Sequence, residues 1–283
     1  MVTTIPVIYS LTVSLAGDTV RVENLLPSGT SPHQFSLSPS QGRLLQDADL
    51  LIMNGAGLEP WIDDILASVD AKAMEVVIAS EGIRLLPPPN YKAQVDGEQT
   101  DTTAAGEDSD HEGMDPHVWL DARNAITMTE NIQRALQALD PDHTATYTER
   151  GQAFRERLAA LHSDIADRTA GLPHRDFIAF HSAFTYYAEA YGLRQVAIIE
   201  ESPGRSPSPR YLARLVDLIR DSGVRAVFTE PQFSPRSAEA LAAETGVDTH
   251  EVDPEGSDLS PSMYENLMRK NTDVFIRALG GGE

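Results

Sequence analysis

The sequence predicts an α/β protein of two lobes, each a parallel sheet flanked by helices, joined by a long rigid helix. Three observations carry that reading. Short apolar, β-branched runs alternate with helical patterns through both halves of the chain, the signature of βαβ units. The alternation stops once, at residues 141–171, where roughly 30 residues of helical pattern run without a strand, a length of about 45 Å. The 283 residues suffice for one large domain or two ordinary ones with ample core. The expected organisation is an N-terminal βα lobe at 1–140, a connecting helix at 141–171 and a C-terminal βα lobe at 172–283.

Taken in order, "VTTIPVIYSL" is a strand that turns helical near "LTVSLAG", and "TVRVENLLP" is a second strand. "SPSQGRLLQDA" is a short helix capped by Ser38 or Ser40. "DLLIMN", "GLEPWIDDILASV" and "MEVVIAS" read strand, helix, strand, and "DARNAITMTENIQRALQAL" is a helix. Before that helix, residues 87–116 hold a triple proline and then polar, acidic sequence that cannot bury a core, which predicts an acidic mobile loop. Pro141 suits the start of the long helix and Gly171 its stop. Beyond it, "DFIAF", "SAFTYYAEAYG" and "RQVAII" restart the alternation. "SPRYLARLVDLIRDSG", "VRAVFTE", "PRSAEALAAETG", "VDTHEVD" and "PSMYENLMRKNTDVFIRALG" carry it to the end.

Composition narrows the chemistry. No run of 18 apolar residues exists to span a bilayer. The opening "MVTTIPVIYS" lacks a basic segment and a cleavage site, so it reads as the first strand of a mature chain, any secretion signal or lipid anchor lying upstream. The absence of cysteine excludes disulfides, thiolate metal sites and cysteine nucleophiles, so a metal site must be built from His, Asp and Glu. The net charge of −21 argues against nucleic acid and anionic membrane surfaces and is compatible with collecting cations.

Eight histidines occur. His143 and His162 on the long helix, His174 in a loop and His250 within a strand read as structural. Three others sit at strand exits or loop–helix junctions: His33 in "SPHQF", His117 in "DPHVWLD" and His181 in "FIAFHSAF". Asp253 in "EVDPEG" ends a strand in the same way. Ligands of open α/β sheets gather beyond the carboxyl ends of strands. Three imidazoles and one carboxylate suit tetrahedral Zn²⁺ and leave no open water position, which favours carriage over catalysis. They converge only if the lobes face each other across a cleft that holds the metal. Glu230 in "TEPQF" is a candidate acceptor that orients a ligand histidine. Arg205 in "PGRSPSP" is a candidate partner across the cleft, and His111 a candidate auxiliary donor in the acidic loop.

"SPHQFSLSPSQGRLLQDADLLIMNGAGLEPWIDDIL", "DPHVWLDARNA", "FIAFHSAFTYYAEAYGL" and "VFTEPQFSP" with "VDPEG" resemble, in this order, the ligand motifs of the zinc/manganese substrate-binding proteins of bacterial ABC importers, the TroA-like cluster. The resemblance covers nearly the whole chain. It implies two βα lobes joined by a rigid helix, one metal between them, and the ligands His33, His117, His181 and Asp253. Manganese-type members carry Glu at the third position and zinc-type members His, so His181 implies zinc. Zinc-type members often have a His-rich loop before the second ligand, where this chain has a single histidine, His111, among acids. The implied function is Zn²⁺ capture and delivery to the membrane permease of an ABC importer, by a non-enzymatic monomer that is periplasmic or extracellular and membrane-anchored. Manganese or ferrous iron as the cargo, a zinc hydrolase with Asp253 as general base, and an adhesin on the same lobes are the competing expectations.

Overall fold

The computed structural model describes residues 1–62, 66, 74–89, 91, 113–200 and 204–281. Of the helix expected at "GLEPWIDDILASV", residues 60–62 and 66 are described and helical, while 63–65 and 67–69, most of the acidic loop and His111 lie outside the described residues. The chain forms two α/β units, each with one parallel four-stranded sheet. Among the described residues no helix is long and apolar enough to cross a membrane.

The first unit comprises residues 1–85, 118–164 and 255–268. Its strands are β1 (Val2–Thr3), β2 (Glu23–Asn24), β3 (Leu50–Met53) and β4 (Glu75–Ile78), in the order β2-β1-β3-β4. The opening strand is far shorter than the sequence suggests, because helix α1 (Pro6–Ala16) starts inside the apolar run. Pro6 stands at the head of that helix, where its fixed φ is already helical and its missing N–H costs nothing. The β-branched Val7, Ile8 and Thr12 are buried on the helix, so burial overrides their strand preference. The second expected strand likewise contracts to two residues. Helix α2 (Pro39–Gln46) is capped by Ser38, whose Oγ accepts from the N–H of Gln41 while the Gln41 side chain accepts from the N–H of Ser38. Helix α3 (Ala122–Leu139) buries Ala125, Met128, Thr129, Ile132 and Leu136, one face at three- and four-residue spacing.

Helix α4 (Thr144–Ala170) is preceded by a 3-10 turn, Pro141–His143, rather than running uniformly from Pro141. Asp140 fixes that turn by accepting from Tyr147 Oη at 2.7 Å and lying 2.7 Å from His143 Nδ1. The 27 residues of α4 span about 40 Å. The first part of α4, through Asp164, belongs to the first unit and its end, from Ile165, to the second. Buried Tyr147, Phe154, Leu158, Leu161 and Ile165 form its inner stripe.

The second unit comprises residues 86–117, 165–254 and 269–283. Strands β5 (Asp176–Ala179), β6 (Arg194–Ile198), β7 (Ala226–Thr229) and β8 (Asp248–Glu251) pair in the order β6-β5-β7-β8, the same order as in the first unit. Helices α5 (Thr185–Tyr191), α6 (Pro209–Ser222) and α7 (Arg236–Thr245) alternate with them, and α8 (Met263–Leu279) closes the chain. Gly192, Gly223 and Gly246 end α5, α6 and α7 in the left-handed conformation. On one side of the sheet Ile178, Phe180, Ala197, Leu215, Ile219, Val227 and Leu241 form the core. An aromatic cluster of Phe177, Phe184, Tyr187 and Phe228 packs around Phe275 of α8. Each such buried ring contributes about 1.5–3 kcal/mol.

In both sheets the strand order reverses between the first strand and the third of its set, β1|β3 and β5|β7. Crevices open at such points, beyond the carboxyl ends of the strands. What fills each crevice sets the chemistry.

Candidate metal centre

In the second unit, β5 ends at Ala179, two residues before His181, and β7 ends just before Glu230. These two side chains meet at the β5|β7 switch point. His181 Nδ1 lies 2.8 Å from both oxygens of Glu230, and the His181 N–H donates to Oε1 at 3.3 Å. Both residues are buried, at 4% and 3% exposure. Burial disfavours the His181 imidazolium, but the Glu230 charge and hydrogen bond, with Asp115 and Glu200 behind them, outweigh it and raise the pKa above the ordinary histidine value. Phe233, which the sequence reading did not single out, stands with its ring at 5.6 Å, edge-on to the His181 imidazole, and stacks on Phe180 at 5.2 Å.

His117 comes from the segment just before α3 and is 1% exposed. One oxygen of Asp115, Oδ1, accepts from the His117 N–H at 2.9 Å and sits 2.8 Å from His117 Nδ1. Asp115 itself is 2% exposed. Each histidine therefore has a carboxylate behind Nδ1, which keeps the ring proton there and turns the Nε2 lone pair outward. The two Nε2 atoms face each other at 3.3 Å, with the ring planes at 69°. The two Nε2 atoms thus aim at a common point, where either a shared proton or a metal ion can sit between them. Two Zn–N bonds of about 2.05 Å at the tetrahedral angle place their nitrogens about 3.3 Å apart.

Asp253 follows β8 and is 4% exposed. Its N–H donates to Asn271 Oδ1 at 2.9 Å, its carbonyl accepts from Asn271 Nδ2 at 2.6 Å, and its Oδ1 accepts from Gln232 Nε2 at 2.8 Å. Backbone and side chain are thus both held by partners that sequence reasoning did not name. Glu200, beyond β6, is 7% exposed, and burial raises its pKa. The N–H of Gly204, at 2.8 Å from Oε2, and the field of His181 offset part of that rise. Arg205 is exposed.

In the first unit His33 occupies a 3-10 turn, Pro32–Gln34, and is half-buried. Trp61 fixes the turn by donating from Nε1 to the Pro32 carbonyl at 3.1 Å, and Phe35 packs edge-on against the Trp61 ring. The β1|β3 switch point of this unit is filled by Glu59, 2% exposed. Its Oε1 accepts from Thr4 Oγ1 and the Asn54 N–H, each at 2.7 Å, and its Oε2 from the Gly55 N–H at 2.9 Å. Burial pushes its pKa up to about 7 against these bonds. The loop it holds carries three successive positive φ values, at Gly55, Ala56 and Gly57. At Gly55 a Cβ would also run into Ile78.

The chain is similar to known metal-binding proteins. A family model described as ZnuA, zinc-uptake complex component A, periplasmic, matches residues 1–278. The zinc-binding lipoprotein AdcA of Streptococcus pneumoniae is 33% identical over 276 residues, 96% of this chain and 54% of that protein. The chain thus spans about half the length of that relative. A zinc-bound ZnuA carrying a deletion of residues 138–173 superposes with a TM-score of 0.83 at 28% identity, covering 100% of this chain and 98% of that one. FpvC of Pseudomonas aeruginosa, solved with Mn²⁺, superposes with a TM-score of 0.81 at 26% identity, covering 98% and 97%. With residues 1–278 matched, the chain belongs to the ZnuA family of periplasmic zinc-uptake components.

Proposed function

We propose that this protein captures one Zn²⁺ through His33, His117, His181 and Asp253 and delivers it to the membrane permease of an ABC importer. The observation that carries the reading is the His117–His181 pair, two buried imidazoles with Nε2 atoms 3.3 Å apart and a carboxylate behind each Nδ1. That spacing matches the bite of a tetrahedral zinc, and neutral imidazole prefers zinc over manganese. His33 and Asp253 complete a three-nitrogen, one-oxygen set that leaves no coordination position for a reacting water, so the site carries its metal and catalyses nothing. Glu230 and Asp115 hold the two rings in the ligating tautomer. The protein works outside the cytoplasmic membrane, periplasmic or membrane-anchored, as a monomer. His111 and the acidic residues around it raise the local cation concentration, a weak contribution beside the main site.

The test is elemental analysis followed by competitive titration of the purified protein with Zn²⁺, Mn²⁺ and Fe²⁺. One equivalent of tightly held zinc, displaced by neither other metal at equal concentration, is the expected result. Preferential retention of manganese or iron would refute the zinc assignment.

A further inference from the structure

Tyr186 lies five residues beyond His181, in helix α5, and is 3% exposed. Its hydroxyl accepts from the Leu86 N–H at 2.9 Å and donates to the Asp115 carbonyl at 3.0 Å. The Asp115 N–H in turn donates to the Leu86 carbonyl at 2.8 Å. Two directly paired antiparallel residues would exchange two backbone bonds. Here one is direct and the other passes through a phenol. Leu86 and Asp115 are both buried, at 9% and 2% exposure, so water does not readily replace the phenol. Asp115 is also the residue whose Oδ1 holds both the backbone and the ring of His117.

We infer that Tyr186 is a positioning residue for metal binding: its phenol fixes the Asp115 backbone, and Asp115 thereby holds the His117 ring with Nε2 open to the metal. The inference rests on the reading of His117 as a zinc ligand. The neighbouring Tyr187 supplies a matched contrast. It is as buried as Tyr186, and its phenol bonds to Thr272 Oγ1 at 2.8 Å.

The experiment compares Tyr186→Phe with Tyr187→Phe, each removing one buried hydroxyl and keeping the ring. In metal-free protein at pH 8, nitrogen-15 NMR of the His117 ring should show the Nδ1–H tautomer in the parent and in Tyr187→Phe. In Tyr186→Phe it should show a mixture of tautomers. Zinc titration should show about fivefold weaker binding for Tyr186→Phe, below the roughly 10–100-fold of outer-shell substitutions because the phenol acts one hydrogen bond further from the metal, and less than twofold change for Tyr187→Phe. In an Asp115→Ala background, Tyr186→Phe should cost less than twofold, because the route through Asp115 is already lost. An unchanged His117 tautomer in Tyr186→Phe would overturn the inference. So would equal losses of zinc affinity in the two backgrounds, or equal losses from the two tyrosine variants. If the parent fails to bind zinc, the proposed function falls, while the metal-free tautomer signal still decides the role of Tyr186.

Discussion

Replacing Glu230 by Gln removes one negative charge from behind His181 and little else. The Glu230 side chain is fully buried, with both oxygens 2.8 Å from His181 Nδ1. A hydrogen bond to a charged buried group contributes about 1.5–3 kcal/mol. Outer-shell substitutions at metal sites cost about 10–100-fold in affinity, which is about 1.4–2.7 kcal/mol. The two ranges overlap, so the loss is that of one charge-assisted bond. Gln keeps the shape and one acceptor, which places the expected effect near the lower end, about tenfold weaker zinc binding. The amide brings a further penalty, because its NH₂ can donate to Nδ1 and drive the ring proton onto Nε2, the atom that should meet the metal. Competition of the variant against a chromogenic chelator of known affinity measures the change, and metal-free thermal unfolding checks that the variant is folded. A folded Glu230→Gln protein that binds zinc within twofold of the parent would refute the orienting role.

Asp253→Ala should weaken zinc by at least about tenfold yet leave the metal-free fold intact, because Asn271 holds Asp253 through its backbone; unchanged competition titrations would remove Asp253 from the ligand set. Glu59 gives a pH dependence. Its folded pKa of about 7 lies above the ordinary 4.5, so its stabilising contribution is full below pH 4.5 and is lost as pH rises through 7, a decline of roughly 3 kcal/mol. Denaturant unfolding of metal-free protein at pH 5 and pH 8 should therefore show a steeper loss in the parent than in Glu59→Gln, and equal slopes would contradict this. Phe275→Ala should destabilise the metal-free protein by about 3–5 kcal/mol, because Phe275 joins four aromatic rings of the second unit; a loss below about 1 kcal/mol by denaturant unfolding would show that the cluster collapses without it.

The alternation of strand and helix was legible because each element is a local pattern, and residues such as Ser38, Gly223 and Gly246 mark element ends by local rules. The opening run was misread for a related reason. Val7, Ile8 and Thr12 have strand preferences, and only the buried environment of α1 makes them helical. Strand-end histidines stood out in the sequence for the same local reasons, as His181 after "DFIAF" shows. The groups behind them are harder to find. Asp115 reads as one more acid at the end of an acidic stretch, although the Asp-Pro-His spacing could have marked it as a partner for His117. Tyr186 looks like helix packing, because its bonds to Leu86 and Asp115 reach 100 and 71 residues along the chain. Gln232 and Asn271 reach Asp253 across 21 and 18 residues, and no local periodicity encodes such pairings. Glu230 was recognisable as a strand-end acid, but the histidine it faces follows only from the β5–β7 pairing.

Diffraction at the zinc absorption edge from crystals loaded with one equivalent of Zn²⁺ tests the central claim most directly. The expected result is a single strong anomalous peak about 2.0–2.1 Å from the Nε2 atoms of His117 and His181, with His33 and an Asp253 oxygen completing the tetrahedron. A peak elsewhere in the chain, or one with either Nε2 atom beyond about 3 Å, would contradict it.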